Sequence, residues 1–136
     1  MKRLFFVICS VVIAVALAFS CLSMIGNAQN KCEKSFERLT YIDSYKGSIN
    51  KGLLSTKVSA DITGKPNVTS VKIKMELQKL SSGSYSTIET WEQTFSGREG
   101  SMSESKTTNP LSTYRLKATV TAYSGSNSES QTFYEY

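Results

Sequence analysis

Tyr114-Arg115-Leu116-Lys117-Ala118-Thr119-Val120-Thr121-Ala122-Tyr123 alternates apolar and polar side chains without a break. Successive side chains of an extended chain point to opposite faces, so Tyr114, Leu116, Ala118, Val120 and Ala122 line one side and Arg115, Lys117, Thr119, Thr121 and Tyr123 the other. One greasy face and one wet face is the pattern of an antiparallel sheet packed on one side only. The same period recurs twice upstream. Leu54, Thr56, Val58, Ala60 and Ile62 alternate with Ser55, Lys57, Ser59, Asp61 and Thr63, and Val71, Ile73, Met75 and Leu77 alternate with Lys72, Lys74, Glu76 and Gln78.

Turn chemistry separates these runs. Gly64-Lys65-Pro66-Asn67 ends the first, and Ser81-Ser82-Gly83-Ser84 joins the second to a hairpin partner, Tyr85 to Phe95. In that partner Tyr85, Trp91 and Phe95 share one parity and Ile88 has the other, which implies a bulge near Ile88-Glu89 or a strand that breaks there. Gly97 to Gly100 turns into a polar edge strand, Ser101 to Thr107, whose main apolar contribution is Met102. Asn109-Pro110 introduces the run at Tyr114, Gly125-Ser126-Asn127-Ser128 turns into Glu129 to Tyr136, and an early strand around Leu39 to Lys46 makes seven. Seven short strands with turn signals roughly every 8 to 12 residues imply a two-sheet sandwich. No stretch after residue 38 carries apolar residues at helical spacing with caps, and Thr, Ser, Val and Tyr favour extended chain. The expectation is an all-β, seven-stranded antiparallel domain over 39–136, with no internal repeat.

The other end of the chain is of a different kind. Lys2 and Arg3 precede Leu4 to Ile25, 22 residues without a charge, and Gly26-Asn27-Ala28 follows. A basic start, an apolar run and a small-residue stop are the layout of a secretory signal helix over 1–28, with cleavage after Ala28. The run is also long enough to span a bilayer core of roughly 30 Å as an uncleaved anchor. Both readings keep the basic residues inside and carry the body outside, so the expected location is secreted, extracellular or tethered to the outer face of the membrane. A lipidated Cys21 is a third alternative, opposed by the bulky Phe19 in Ala18-Phe19-Ser20-Cys21. Residues 29–38 form a charged lead-in.

Removal of 1–28 takes away Cys9 and Cys21 and leaves Cys32 alone, so no internal disulfide can form. In an oxidising compartment a lone thiol stays free, takes a small-thiol cap or forms an intermolecular disulfide between two chains. The sequence has 16 basic and 11 acidic residues; without Lys2 and Arg3 the balance is 14 − 11 = +3. Its charges are interspersed, with no basic run that could track a phosphate backbone, which argues against nucleic acid as a partner.

The segment Pro110-Leu111-Ser112-Thr113-Tyr114-Arg115-Leu116-Lys117-Ala118-Thr119-Val120-Thr121-Ala122-Tyr123, followed by Gly125 and Ser128-Glu129-Ser130, resembles the penultimate strand, loop and last strand of fibronectin type III and related immunoglobulin-like domains. The resemblance implies that Tyr114 forms a tyrosine corner, its hydroxyl bonding back to nearby backbone, and that the alternating residues after it enter the core. It also sets Leu116 where immunoglobulin domains have their second Cys. Two features depart from the family: the lone Trp91 is not in the second strand, and no Arg-Gly-Asp tripeptide is present. From residue 29 the chain also resembles small secreted proteins of Gram-positive bacteria, which implies export rather than a particular activity.

Catalysis finds little support. The sequence has no His, so neither the serines nor Cys32 has its usual base. Glu76, Glu89, Glu92, Glu99 and Glu104 read mostly as solvated strand faces and loops. Without His, and with Asp43 and Asp61 the only aspartates, no metal cluster can be assembled. No cofactor is implied. Asn67-Val68-Thr69 has the form of a glycosylation acceptor, and in a bacterial protein it is turn chemistry. Binding is the function left open. Trp91, Tyr123 and Tyr134 are candidate ligand-contact aromatics, with Tyr136 sharing the parity of Tyr134, and each also reads as a packing residue. Two classes follow: a non-enzymatic interaction or structural module for an extracellular protein or envelope partner, and a carbohydrate-binding sandwich using exposed aromatics.

Overall fold

The computed structural model describes residues 38–136. The expected signal helix over 1–28, most of the lead-in and Cys32 lie outside the described residues. Seven strands follow in order: β1 (Ile42–Lys51), β2 (Ser55–Gly64), β3 (Ser70–Ser81), β4 (Ser84–Ser96), β5 (Glu99–Thr107), β6 (Tyr114–Ser124) and β7 (Asn127–Glu135). All pairings are antiparallel, giving a three-stranded sheet β1-β2-β5 and a four-stranded sheet β4-β3-β6-β7. The described residues contain no helix.

The alternating runs become the inner faces. Val71, Ile73, Met75 and Leu77 of β3 lie in register with Ala122, Val120, Ala118 and Leu116 of β6, all fully buried. Val58, Ala60 and Ile62 of β2 supply the opposing layer. Each buried aliphatic contributes roughly 1.5–3 kcal/mol of transfer free energy, most of it offset by chain entropy. Thr56 also sits on the buried row, where its hydroxyl shares a hydrogen bond of 2.8 Å with Thr108, so no polar atom there is left unpaired.

Two local expectations change, and the bulge holds. The early strand runs from Ile42 to Lys51, not from Leu39 to Lys46, because Tyr45, Gly47 and Ile49 pair with Ile62, Ala60 and Val58 of β2. Leu54 leaves the inward row for the β1–β2 turn, where it is exposed. The bulge in β4 falls at Ile88, since Leu77 pairs with Glu89 and Gln78 with Thr87. An extra residue reverses the faces beyond it, so Tyr85 leaves the parity of Trp91 and Phe95 and turns outward.

Two contacts close the sides of the sandwich. On one, the Tyr45 and Phe133 rings lie 5.0 Å apart beside Gly47, whose missing side chain leaves room for the Phe133 ring. On the other, Lys106 of β5 bonds Glu89 of β4. Leu39 to Tyr41, outside the ladder, and Ile42 at its start are tied down: the Glu129 carboxylate accepts the N–H groups of Thr40, Tyr41 and Ile42 at 2.7–2.9 Å, and Lys65 donates to the Leu39 carbonyl. Tyr114 is buried, and its hydroxyl accepts the Asn109 N–H at 3.1 Å. Tyr114→Phe is expected to lower stability by about 1 kcal/mol through loss of that partner; an unchanged denaturant midpoint would count against a structural role for the hydroxyl.

Candidate functional site

The solvent face of the four-stranded sheet gathers aromatic and charged side chains at one end. Arg115 of β6 projects outward between neighbours from β4 and β7, its guanidinium carbon 3.9 Å from the Tyr85 ring centroid and 4.6 Å from that of Tyr134. Its Nε donates to Gln78 Oε1 at 2.8 Å and its Nη1 to the Tyr136 hydroxyl at 3.4 Å. Tyr85 and Tyr136 meet edge to face at 6.3 Å. Tyr134 and Tyr136 remain 39% and 75% exposed.

Beneath this cluster a polar chain crosses three strands. Gln78, only 7% exposed, donates from Nε2 to Thr87 Oγ1 at 3.1 Å, and Thr87 donates to Glu76 Oε1 at 3.4 Å. Glu76 accepts the Lys117 ammonium at 2.9 Å. That bond holds the Glu76 carboxyl below its ordinary range against the opposing effect of burial, and holds the Lys117 ammonium above its own. Arg115 is therefore positioned before any partner arrives, which reduces the ordering entropy of binding. Farther along the sheet Lys72 pairs with Glu92 at 2.8 Å, and Thr119–Thr132 and Thr121–Ser130 share hydroxyl bonds across β6 and β7.

The candidate aromatics do not form one platform. Tyr134 joins the cluster. Tyr123 occupies the same face but lies six residues along β6 from Lys117, the residue opposite Tyr134, a distance of about 20 Å at strand rise. Trp91 pairs with the fully buried Met75, so it faces the interior and packs half-buried against the core. Tyr85 and Arg115 escaped the sequence reading. Counted by parity Tyr85 points inward, although the bulge inferred at Ile88-Glu89 already implied its reversal; Arg115 reads as an ordinary solvated residue until its aromatic neighbours are known.

Glu76, Glu89 and Glu129 all sit below the ordinary carboxylate range, Glu76 and Glu89 chiefly through their lysine partners, Glu129 through backbone donors that outweigh its burial. Each is ionised at neutral pH and has no proton to deliver as a general acid. Among the described residues no three Cys, Asp or Glu side chains stand together in a way that could hold a metal ion.

No protein-family model matches the chain. No curated protein matches it in sequence. Among solved structures it is similar to Spo0M, a sporulation control protein from Bacillus subtilis, with a TM-score of 0.37 and 8% identity over 71% of this chain and 50% of that one. It is also similar to a β-glucosidase from Kluyveromyces marxianus in complex with glucose, with a TM-score of 0.32 and 10% identity over 67% of this chain and 14% of the enzyme. The chain thus spans half the length of the first and a small part of the second. Likeness at this level transfers neither fold type nor activity.

Proposed function

We propose that this chain is an exported or surface-held bacterial interaction module, non-enzymatic, with an immunoglobulin/fibronectin III-like sandwich that presents the outer face of β4-β3-β6-β7 to an extracellular protein or envelope partner. The observation that carries the reading is the preorganised Tyr85–Arg115–Tyr134–Tyr136 cluster. Tyrosine and arginine are the side chains that most often anchor protein interfaces, because they offer large area with few rotors and a fixed fork of donors. The fold type is supported by the buried Tyr114 hydroxyl bond and by the split of seven strands between two antiparallel sheets. In this arrangement β4 lies beside β3, whereas the constant immunoglobulin domain has its fourth strand beside the fifth.

The carbohydrate reading ranks second. A sugar stacks on an open ring face, and in this cluster Arg115 already lies over Tyr85 and Tyr134. Binding of the chain to a cell-envelope fraction and to a glycan array, each with the double variant Arg115→Ala/Tyr134→Ala, separates the two. Loss of two interface anchors is expected to weaken envelope binding by roughly tenfold or more with the unfolding midpoint little changed. Undiminished binding by the folded variant would remove this face from consideration, and glycan binding sensitive to Tyr123→Ala or Tyr134→Ala would favour the sugar reading.

A further inference from the structure

One pole of the sandwich is built from the β1–β2 turn, the β3–β4 turn and the β5–β6 loop, and two of these three carry leucine at their apices. Leu53 and Leu54 occupy the centre of the turn closed by the Gly52 N–H to Ser55 carbonyl bond of 2.8 Å, and are 82% and 79% exposed. Leu111 follows Pro110 in the turn closed by the Ser112 N–H to Asn109 carbonyl bond, and is 94% exposed. The two loops touch: the Thr108 N–H donates to the Leu54 carbonyl at 3.1 Å, and Lys51 Nζ donates to the Ser112 carbonyl at 3.3 Å.

Turn apices ordinarily carry Gly, Asn, Asp, Ser or Pro, and the other tight turns of this chain obey that rule at Ser82-Gly83, Gly97 and Gly125-Ser126. Nothing in the fold requires leucine at 53, 54 or 111, since none of the three packs on the core. Their charge setting is predominantly basic. Residues 50–57, 78–85 and 106–115 at this pole contain Lys51, Lys57, Lys79, Lys106 and Arg115 and no acidic residue, while the end of β7, which reaches the same pole through the Arg115–Tyr136 bond, adds Glu135 opposite Leu116. Lys106 is engaged by Glu89, but Lys51, Lys57 and Lys79 form no ion pair among the described residues. The opposite pole, where residues 38–41 enter, mixes Asp43, Glu99 and Glu129 with Arg98 and Lys65.

We propose that this leucine-tipped, lysine-ringed pole docks on an anionic lipid surface, with Leu53, Leu54 and Leu111 entering the headgroup–acyl boundary and Lys51, Lys57 and Lys79 at phosphate level. Shallow insertion of aliphatic side chains combined with lysines meeting anionic headgroups is the physics of interfacial membrane binding, and the amphipathic lysines can keep their ammonium groups in water while their stems follow the leucines down. A fluid surface accepts separate convex apices, whereas a protein hot spot needs a matching pocket. A second copy docked pole to pole is disfavoured because two predominantly basic surfaces would have to meet. The leucines and Lys51, Lys57 and Lys79 do not belong to the sheet-face cluster, although Tyr85 and Arg115 stand at the same end of the sandwich, so the tip reporters and lysine variants can fail while the Arg115→Ala/Tyr134→Ala test holds, and the reverse.

The test uses the full chain with phosphatidylcholine vesicles whose acyl chains are brominated, prepared with and without phosphatidylserine. Native Trp91, half-buried on the inner side, is the internal baseline. Leu111→Trp adds a reporter at the tip and Ser126→Trp one at the opposite pole. In vesicles containing phosphatidylserine, emission from Leu111→Trp is expected to be quenched well beyond that from Ser126→Trp and the unmodified chain, and Lys51→Ser or Lys57→Ser should each weaken the effect roughly fivefold in lipid concentration. Leucine replacement at these exposed apices leaves the core intact, which circular dichroism checks. Equal quenching at the two poles, indifference to phosphatidylserine, or a sedimenting dimer that shields the tip reporter from lipid each overturns the proposal.

Discussion

Phe133→Ala is expected to lower the unfolding free energy by about 3–5 kcal/mol, the range for deleting a large buried aromatic. Phe133 lies on β7, an edge strand, yet is only 2% exposed because β1 of the opposing sheet covers it. Its ring packs against Tyr45 at 5.0 Å and fills the space over Gly47, where a Cβ would stand 2.5 Å from Phe133 Cε2. Gly47→Ala should therefore destabilise the wild-type protein by about 1–3 kcal/mol through overpacking. In a Phe133→Ala background the clash partner is gone, so Gly47→Ala should be close to neutral there. Denaturant unfolding of the four proteins gives the cycle directly. Additive losses would mean that Gly47 and Phe133 do not meet, and that this side of the sandwich closes differently.

Glu129→Gln should remove about 2–3 kcal/mol, because three charge-assisted bonds to Thr40, Tyr41 and Ile42 are lost or weakened and the new amide NH2 is turned toward N–H donors. The effect has a definite pH signature. Burial alone would raise the Glu129 pKa, but the three backbone donors and nearby Lys65 bring it below the ordinary carboxyl value. A carboxyl whose folded pKa is depressed binds protons more readily in the unfolded chain, so its stabilisation is complete above the ordinary carboxyl range and disappears as pH falls through the folded pKa. Glu76 and Glu89 shift in the same direction, which makes the acid loss of the wild type composite. The difference between wild type and Glu129→Gln isolates one group: it should be constant near neutrality and shrink below about pH 4.3, where unfolded glutamates take up protons. A gap independent of pH down to acid unfolding would rule out the carboxylate as the clamp on the entering chain.

Much of the sandwich was legible from single strands. Val71 to Leu77 and Tyr114 to Ala122 announce their buried faces because side-chain direction in a strand depends only on parity, a local property. The bulge at Ile88 was legible for the same reason, as a break in parity. Parity counted without the reversal it imposes leaves Tyr85 on the face of Trp91 and Phe95, so of the cluster the sequence shows Tyr134 and Tyr136, while Arg115 reads as an ordinary solvated residue. Leu54 failed differently. Its parity fits the buried row, but the β1–β2 pairing of Lys51 with Thr56 places it in the turn, and pairing is not a property of one segment.

Alternation, turn residues and the absence of His determined by themselves that the body of this protein is antiparallel β structure, where its strands break, and that acid–base chemistry lacks its usual group. Tertiary structure alone decided that a glutamate on β7 would hold the start of β1, that Gly47 would make room for Phe133, that Arg115 would meet tyrosines from two other strands, and that three leucines from two loops would share a pole. The reason is one of range. Backbone stereochemistry acts over a few residues and leaves its period in the sequence, whereas these contacts join residues up to 89 positions apart, and which of them meet depends on how two finished sheets come together.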